Sequence, residues 1–471
     1  MVKYLVMFSK RGNSMETAQL KKPGMVNDLT QGAILKKLIL FALPFMGANL
    51  LNTLYTLVDL AIIGQFLGSE ALSAASNSGQ ITFMLYAIGI GLGGGGQVLI
   101  SQLTGAGKRD EYQESIGTLV TFGILSAVVT TLVGIIFPRP LLELINTPPE
   151  ALDQAVHYLI CCAFGFIFCV GFNTFSAILR GMGDSRTPFL ISLVCAVMNM
   201  ILDILFVAVI HMGVAGAAIA TSISQFCSFI FAIFYLYRRR QQFGFDFKLS
   251  SFRICGQKLK IILKLSVPLM ISSIAISMSL TFINSFVNPY GVVASAVNGV
   301  GGKLSSLMQV VTHAIQPAVG AFVGQNMGAG KPERARKAVW CALGIGVVFW
   351  CVIAAVCLIF PRAVFGLFSN EAPVLDLAVD YLKISVWNYL AWAIMTPALG
   401  LMSGVGAANL QLFTSLLDGV IARIGLSLLL GVSLAMGLSG FWIGSVLATY
   451  VTVIIGWAYF LSGKWVNRRL V

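Results

Sequence analysis

Twelve long apolar stretches, parted by short polar segments, run along the chain at 38–63, 72–102, 115–137, 151–179, 188–210, 213–236, 261–288, 292–324, 338–360, 374–402, 410–435 and 438–461. Each exceeds the ~20 mostly apolar residues that a helix needs to cross a bilayer. The pattern predicts an all-α integral membrane protein with twelve transmembrane helices. Composition agrees: of 471 residues 57% are hydrophobic and only 10% charged, against about a quarter charged in a soluble domain. Mean hydropathy is +0.88. Disorder, a collagen-like repeat and an ordinary cytosolic enzyme are excluded. The 48 glycines suit helices that pack closely in lipid.

A formal charge of +13 in a soluble domain would suggest nucleic acid, but here it reads as a topology signal. Lys and Arg number 7 up to Lys37, 2 at Lys108 and Arg109, 2 at Arg180 and Arg186, 8 over 238–264, 4 over 331–337 and 3 at the C-terminus. Those 26 share one side, whereas only Arg139 and Arg362 lie on the other. The positive-inside rule then puts both termini in the cytoplasm of a multi-pass plasma-membrane protein. Residues 1–34 form a cytoplasmic N-terminal segment whose one apolar patch, 4–8, is too short for a signal peptide; Met15 and Met25 are alternative starts. Nine cysteines without a CxxC spacing and three scattered histidines, His157, His211 and His313, indicate neither a disulfide framework nor a zinc site.

The two halves of the chain read alike. SQLTGAGK (101–108) answers GQNMGAGK (324–331) at an offset of 223, and RGMGD (180–184) answers SGVGA (403–407) at the same offset. Pro44 answers Pro268, and Gly213 and Gly216 answer Gly437 and Gly440, at 224. The expected architecture is therefore two six-helix bundles, 35–236 and 261–461, related by a parallel internal repeat. A cytoplasmic linker at 237–260 joins them and a cytoplasmic tail, 462–471, follows. Transporters built from parallel repeats hold their substrate between the halves and rock them. Pro317 answers Gly94 within the glycine run 93–96. Both residue types weaken a helix ladder, so each is a hinge candidate, with close helix packing as the competing explanation. The glycine run also matches a dinucleotide-binding pattern by letter, but no strand precedes it. The GAGK loops lack P-loop spacing, so neither motif carries nucleotide.

Ionisable residues in mid-membrane are costly and need a reason. The first half has two well inside spans, Asp59 and Asp203. At 1.5 Å per residue Asp59 lies ~32 Å along span 1 and Asp203 ~22 Å along span 5, both in the outer half of the bilayer. Asn199 precedes Asp203 by four residues, and Asn52, Thr56 and Asp59 form one stripe. Thr221, ~12 Å down span 6, and Tyr158 in span 4 fall at comparable depth. Asp59, Asp203, Asn199, Thr221 and Tyr158 are expected to enclose one pocket. Two carboxylates in a dry site cannot both stay charged cheaply, so such a pocket holds a proton or recruits a cation; a purely structural hydrogen-bond network is the competing explanation. In the second half, Lys383 near Asp380 and Arg423 near Asp418 read as local ion pairs, while Lys303, ~17 Å into span 8, is a candidate for gating a cavity. Met270, Met278, Met308, Trp387 and Trp392 are candidate lining for an apolar cavity, with helix packing the plainer explanation.

Several segments together resemble the multidrug and toxic compound extrusion (MATE) transporters of prokaryotic type, over residues 35–460. They are FALPFMGANLLNTLYTLVDLAIIGQFLG (41–68), ISQLTGAGKRDE (100–111), LRGMGDSRTP (179–188), NMILD (199–203), GVAGAAIATSISQ (213–225) and FVGQNMGAGKPERA (322–335). The resemblance implies two bundles that alternately open outward and inward, exporting amphipathic, often cationic organic compounds against influx of H+ or Na+. It further implies that Asp59, Tyr158, Asn199, Asp203 and Thr221 form the cation-coupling network, with Na+, if used, at Asp59, Asn199 and Asp203 and no other metal. Some branches of the family carry acids in spans 7 and 10. Here 268–282 has none and the middle of span 10 has Trp392, so a second ion site of that type is not expected.

The expected function is thus a cation-coupled antiporter with no cofactor beyond the coupling H+ or Na+. Its expected partners are small organic substrates, the coupling cation and the bilayer, and not nucleic acid. The sequence carries no signal of oligomeric state. The alternative is a lipid- or oligosaccharide-linked flippase of the same wider superfamily, which would need a more basic central cavity; Lys303 and Arg423 alone hint at one. An intramembrane enzyme would need a nucleophile–base or metal constellation, which three isolated histidines do not supply.

Overall fold

The computed structural model describes residues 28–108, 110–145, 147–368, 371–468 and 470; the alternative starts Met15 and Met25 and the patch at 4–8 lie outside them. Twelve helices are long and apolar enough to cross a membrane. They are α1 (Ile34–Gly68), α2 (Glu70–Ala106), α3 (Asp110–Ile136), α4 (Pro149–Gly181), α5 (Arg186–Val209), α6 (Gly213–Arg238), α7 (Gly256–Tyr290), α8 (Val292–Gly328), α9 (Pro332–Ile359), α10 (Ala372–Gly404), α11 (Ala408–Ser433) and α12 (Gly437–Leu461). Among the described residues there is no strand. In lipid every backbone group must be paired within its own segment, and the helix does this. Proline opens α4 and α9, where its missing N–H has no intrahelical partner to lose. Asp184 accepts hydrogen bonds from the backbone N–H of Arg186 and Thr187 (3.1 and 3.0 Å) at the start of α5, and from the Tyr235 hydroxyl of α6 (3.0 Å). The RGMGD motif is thereby accounted for as a cap.

The repeat is written into the backbone as well as the letters. Left-handed residues recur in pairs: Gly68 and Gly291 at φ 83° and 102°, Gly107 and Gly330 at 71° and 70°, His211 and Ala435 at 60° and 50°. Gly68 and Gly291 mark the turn between the first two helices of each half, a corner that a side chain would strain. π-helical turns fall at Ile204–Val209 and Leu429–Ser433. Ion pairs join Arg139 to Asp153 and, 223 residues on, Arg362 to Asp376.

The halves meet at the end that carries both termini, where α2 lies against α8. A Cβ on Gly105 would fall 1.9 Å from the Gln325 carbonyl oxygen, and one on Gly328 would fall 2.1 Å from that of Gln102. Only glycine permits that approach. Gln102 Nε2 donates to the Gly404 carbonyl (2.8 Å) and Gln325 Nε2 to that of Gly181 (3.0 Å). Their Oε1 atoms accept from the N–H of Leu470 (3.0 Å) and Leu29 (3.1 Å). Both glutamines are fully buried. Each half's first helix also reaches across: Leu38, Phe41 and Phe45 of α1 join a core with Val311, Ile315 and Phe322 of α8, and Met270 and Ser266 of α7 press on Gly91 and Gly95.

The same helix faces separate toward the opposite end. Following α2 back from Gln97 by sevens gives Ile90, Phe83 and Ser76, all exposed, with Gln80 exposed between the last two. Following α8 back from Pro317 gives Val310, then Ser306, Lys303 and Gly299, the last three exposed. A face buried at one end and bare at the other is a cleft between the lobes, closed at the termini and open away from them. The inter-lobe linker is packed rather than loose. Phe243 and Phe245 are buried, Gln113 donates to Ser251 (2.7 Å), the N–H of Cys255 donates to Thr118 (2.9 Å), and Lys258 pairs with Glu111.

Candidate functional site

The helix register sets Asp59, Tyr158, Asp203 and Thr221 in one layer, each ~9–14 Å from the outer end of its helix at 1.5 Å per residue. Asp203 is fully buried, and Asn199, Tyr158 and Asp59 nearly so, at 3%, 7% and 8% exposed. Asp59 and Asp203 are near enough to interact electrostatically, and the Tyr158 hydroxyl neighbours both. Asn199 Nδ2 donates to the Thr221 hydroxyl at 3.4 Å. Five residues from four helices, α1, α4, α5 and α6, therefore converge as their spacing predicts.

What distinguishes the cluster is unmet hydrogen bonding. Asp59 Oδ1, both carboxylate oxygens of Asp203 and Oδ1 of Asn199 are buried with no hydrogen-bond partner. Leaving such groups unpaired costs ~1–3 kcal/mol each, more when charged. Unpartnered oxygens on neighbouring acids suit either a proton on a carboxyl or a hard cation that takes oxygen ligands. No other resident group is required by these residues.

Tyr55 of α1 and Cys162 of α4 stand near Asp59, and Tyr86 of α2 and Cys169 of α4 lie next to them. The sequence reading passed over them, although Tyr55 precedes Asp59, and Cys162 follows Tyr158, by the four residues that put side chains on one helix face. Asn52 and Thr56, expected on the Asp59 stripe, are exposed instead. The Thr56 hydroxyl donates to the Asn52 carbonyl at 2.8 Å. Residues at i, i+4 and i+7 lie within about 60° of one helix face, so it is the packing of neighbouring helices around Asp59, not the register, that buries it and leaves Asn52 and Thr56 exposed.

The remaining candidates separate. Lys303 is exposed on the cleft wall, and its repeat partner Gln80 lines the facing wall; among the described residues no carboxylate pairs with Lys303. Gly94 and Pro317 lie within continuous helix. The run 93–96 packs against α4, α7 and α3, through Asn173, Leu269, Ser266 and Leu119, and the Pro317 carbonyl accepts from Gln97 Nε2 at 2.9 Å. Met308 and Trp392 line a pocket of about 10 Å³ with Trp350 and Tyr389, room for roughly one water. Met278 and Trp387 are exposed and Met270 packs on Gly91, so the five do not share a cavity. Lys383 pairs with Asp380 at 3.0 Å on the surface, and Arg423 with Asp418 at 2.9 Å in the interior.

The family model described as MatE matches this chain twice, over residues 44–205 and 268–421. The chain belongs to the MATE family. The two matches begin 224 residues apart, the offset of the internal repeat. The chain is similar to "Probable multidrug resistance protein YoeA" of Bacillus subtilis, 27% identical over 451 residues, covering 95% of this chain and 97% of the relative. It is also similar to "Probable multidrug resistance protein YpnP" of the same organism, 28% identical over 452 residues, 94% of this chain and 98% of the relative. Among solved structures, "Outward-facing conformation of a multidrug resistance MATE family transporter of the MOP superfamily" superposes with a TM-score of 0.85 at 22% identity, covering 92% of this chain and 97% of that one. That likeness concerns the fold.

Proposed function

We propose that this MATE-family protein is an antiporter that exports amphipathic, cationic organic compounds across the plasma membrane, both termini cytoplasmic, against influx of H+ or Na+. The observation that carries the reading is the set of four buried, partnerless oxygens on Asp59, Asn199 and Asp203. Each proton or Na+ bound cancels one of the two possible carboxylate charges; empty, the cluster holds that negative charge out of water. A lobe whose α1, α4, α5 and α6 all contribute to the cluster is most stable with different helix spacings in the two states, and a ligand that prefers one spacing shifts the population toward it. Substrate export and ion entry then draw on one conformational equilibrium. The names of the relatives as multidrug resistance proteins support the substrate class.

The flippase alternative needs basic charge in the cleft. Arg423 is withdrawn from it by its buried pairing with Asp418, which leaves Lys303, so the antiporter is the reading preferred here. The test is efflux of a cationic dye from proteoliposomes under an imposed pH or Na+ gradient. Wild type should transport only with a gradient present, and Asp59→Asn and Asp203→Asn should each abolish the driven component. Gradient-independent transport, or driven transport that survives both substitutions, refutes the reading.

A further inference from the structure

Carried across the repeat, the cation cluster of the first lobe has a counterpart in the second that differs in charge. At an offset of 224 Asn199 answers Arg423, Asp203 answers Ser427, Thr221 answers Ser445 and Asp59 answers Ile283; at 223 Tyr158 answers Tyr381. The hydrogen bond recurs: Asn199 donates to Thr221 at 3.4 Å, and Arg423 Nη1 donates to Ser445 at 3.1 Å. Both acids have been replaced by uncharged residues, and a guanidinium stands where the first lobe has an amide. Arg423 Nη2 donates to Asp418 Oδ1 at 2.9 Å and to Thr449 at 3.3 Å, and the Thr452 hydroxyl donates to Asp418 Oδ2 at 3.3 Å. Arg423 and Asp418 are 5% and 4% exposed.

Asp418 has no counterpart acid, since the position 224 residues earlier is Val194, which is exposed. The acid and the arginine are thus additions that go together. In an α-helix residues five apart point about 140° away from each other. The π-helical stretch Leu417–Ala422 between them closes that angle and lets one helix supply both ions.

We infer that Arg423, at the position that answers Asn199, is a tethered cation that stands in the second lobe for the exchangeable coupling ion of the first, so that a single lobe exchanges an ion in each transport cycle. The inference rests on the proposed coupling role of Asp59 and Asp203. The side chain meets the same chemistry a free cation would, a carboxylate oxygen and two hydroxyl oxygens, but it cannot leave. The counterpart cluster of the second lobe therefore keeps its charges balanced in every state, and its ion pair, held within α11, is tied to α12 by hydrogen bonds to Ser445, Thr449 and Thr452 while the first lobe titrates or exchanges.

The test uses the full chain, purified and reconstituted. In an Asp59→Asn/Asp203→Asn background the melting midpoint should be indifferent to Na+ and to pH near neutrality. Adding Arg423→Gln strips Asp418 of its partner and should create a Na+- or proton-dependent rise in that midpoint. Adding Asp418→Asn as well should remove the rise. A folded Arg423→Gln variant whose midpoint ignores both ions overturns the inference. Should that variant not fold, Arg423→Lys and the double variant Asp418→Asn/Arg423→Gln decide, since neither leaves a buried charge alone. Both should keep gradient-driven efflux, with its ion dependence unchanged, in the otherwise wild-type chain; loss of drive in the folded double variant means that the second lobe exchanges an ion itself. Failure of the coupling reading is a separate result, seen as absence of driven efflux in wild type.

Discussion

Replacing Gln102 and Gln325 together by leucine should open the end of the molecule that carries the termini. Each glutamine donates one hydrogen bond to a helix C-terminal carbonyl of the opposite lobe and accepts one from a terminal backbone N–H, at 2.8–3.1 Å. Leucine fills similar space without these bonds and leaves the carbonyls of Gly181 and Gly404 and the two N–H groups unpaired unless water enters. At ~1 kcal/mol net per bond, one substitution shifts the closed-to-open equilibrium by ~2 kcal/mol, roughly 30-fold, and both by ~4 kcal/mol, about a thousandfold. The second figure assumes additivity, and the two glutamines lie close enough to couple; a double-mutant cycle measures the departure. The assay is the distance between spin labels at Lys108 and Glu333, after replacing the nine native cysteines. Both label sites are exposed, and the surface ion pairs they lose contribute little. The expected result is a longer-distance population that grows from wild type through either single variant to the double. An unchanged distribution in a folded double variant would refute the claim that these bonds hold that end shut.

Gly94→Ala adds a Cβ that meets only Leu269 Cδ1, at 3.2 Å, so expression and melting should stay near wild type, as they should for Pro317→Ala; a hinge role at either position predicts a slowed turnover in dye efflux, and packing alone predicts none. Lys303→Ala removes the unpaired cation from the cleft wall and should lower the apparent KM for a dicationic dye while raising it for an anionic one, by a few-fold each. In the inter-lobe linker, the Ser251 hydroxyl and then the Lys248 N–H, donating to Asp246 at 2.6 and 3.1 Å, hold the Asp246 carboxyl below the usual carboxylate range. A carboxyl depressed on folding stabilises above its unfolded pKa of about 3.9 and ceases to as pH falls through its folded value. Asp246→Asn should therefore lower hydrogen-exchange protection across 244–255 at neutral pH, and the wild-type linker should lose that advantage only in acid.

Much of the candidate site was legible because a helix converts residue number into depth. Asp59, Asp203, Thr221 and Tyr158 share a layer on rise per residue alone, and Asn199 with Asp203 share a face on spacing alone. Finer than the rise is the question of which part of a face is buried: Asn52 and Thr56 share a stripe with Asp59 yet are exposed, since the neighbours of α1 choose what is covered. Cys162 carries no signal for the complementary reason, being an ordinary core residue until the fold brings it near Asp59 of another helix. Arg423 and Asp418 were read as a local pair, and so they are. Five residues apart they would diverge on an α-helix, so their contact depends on a π-helical stretch that no side-chain pattern announced.

The sequence by itself determined the twelve spans, the twofold repeat and the positions at which charge enters the membrane. Each follows from apolar length, recurrence or the cost of a buried ion, all of which are local along the chain. Only the tertiary structure decided which end of the cleft is shut, which oxygens lack partners and how the two lobes differ in charge at equivalent positions. Those outcomes belong to contacts between helices far apart in sequence, where one glycine–glutamine approach or one added guanidinium changes the balance without altering the pattern that a single span displays.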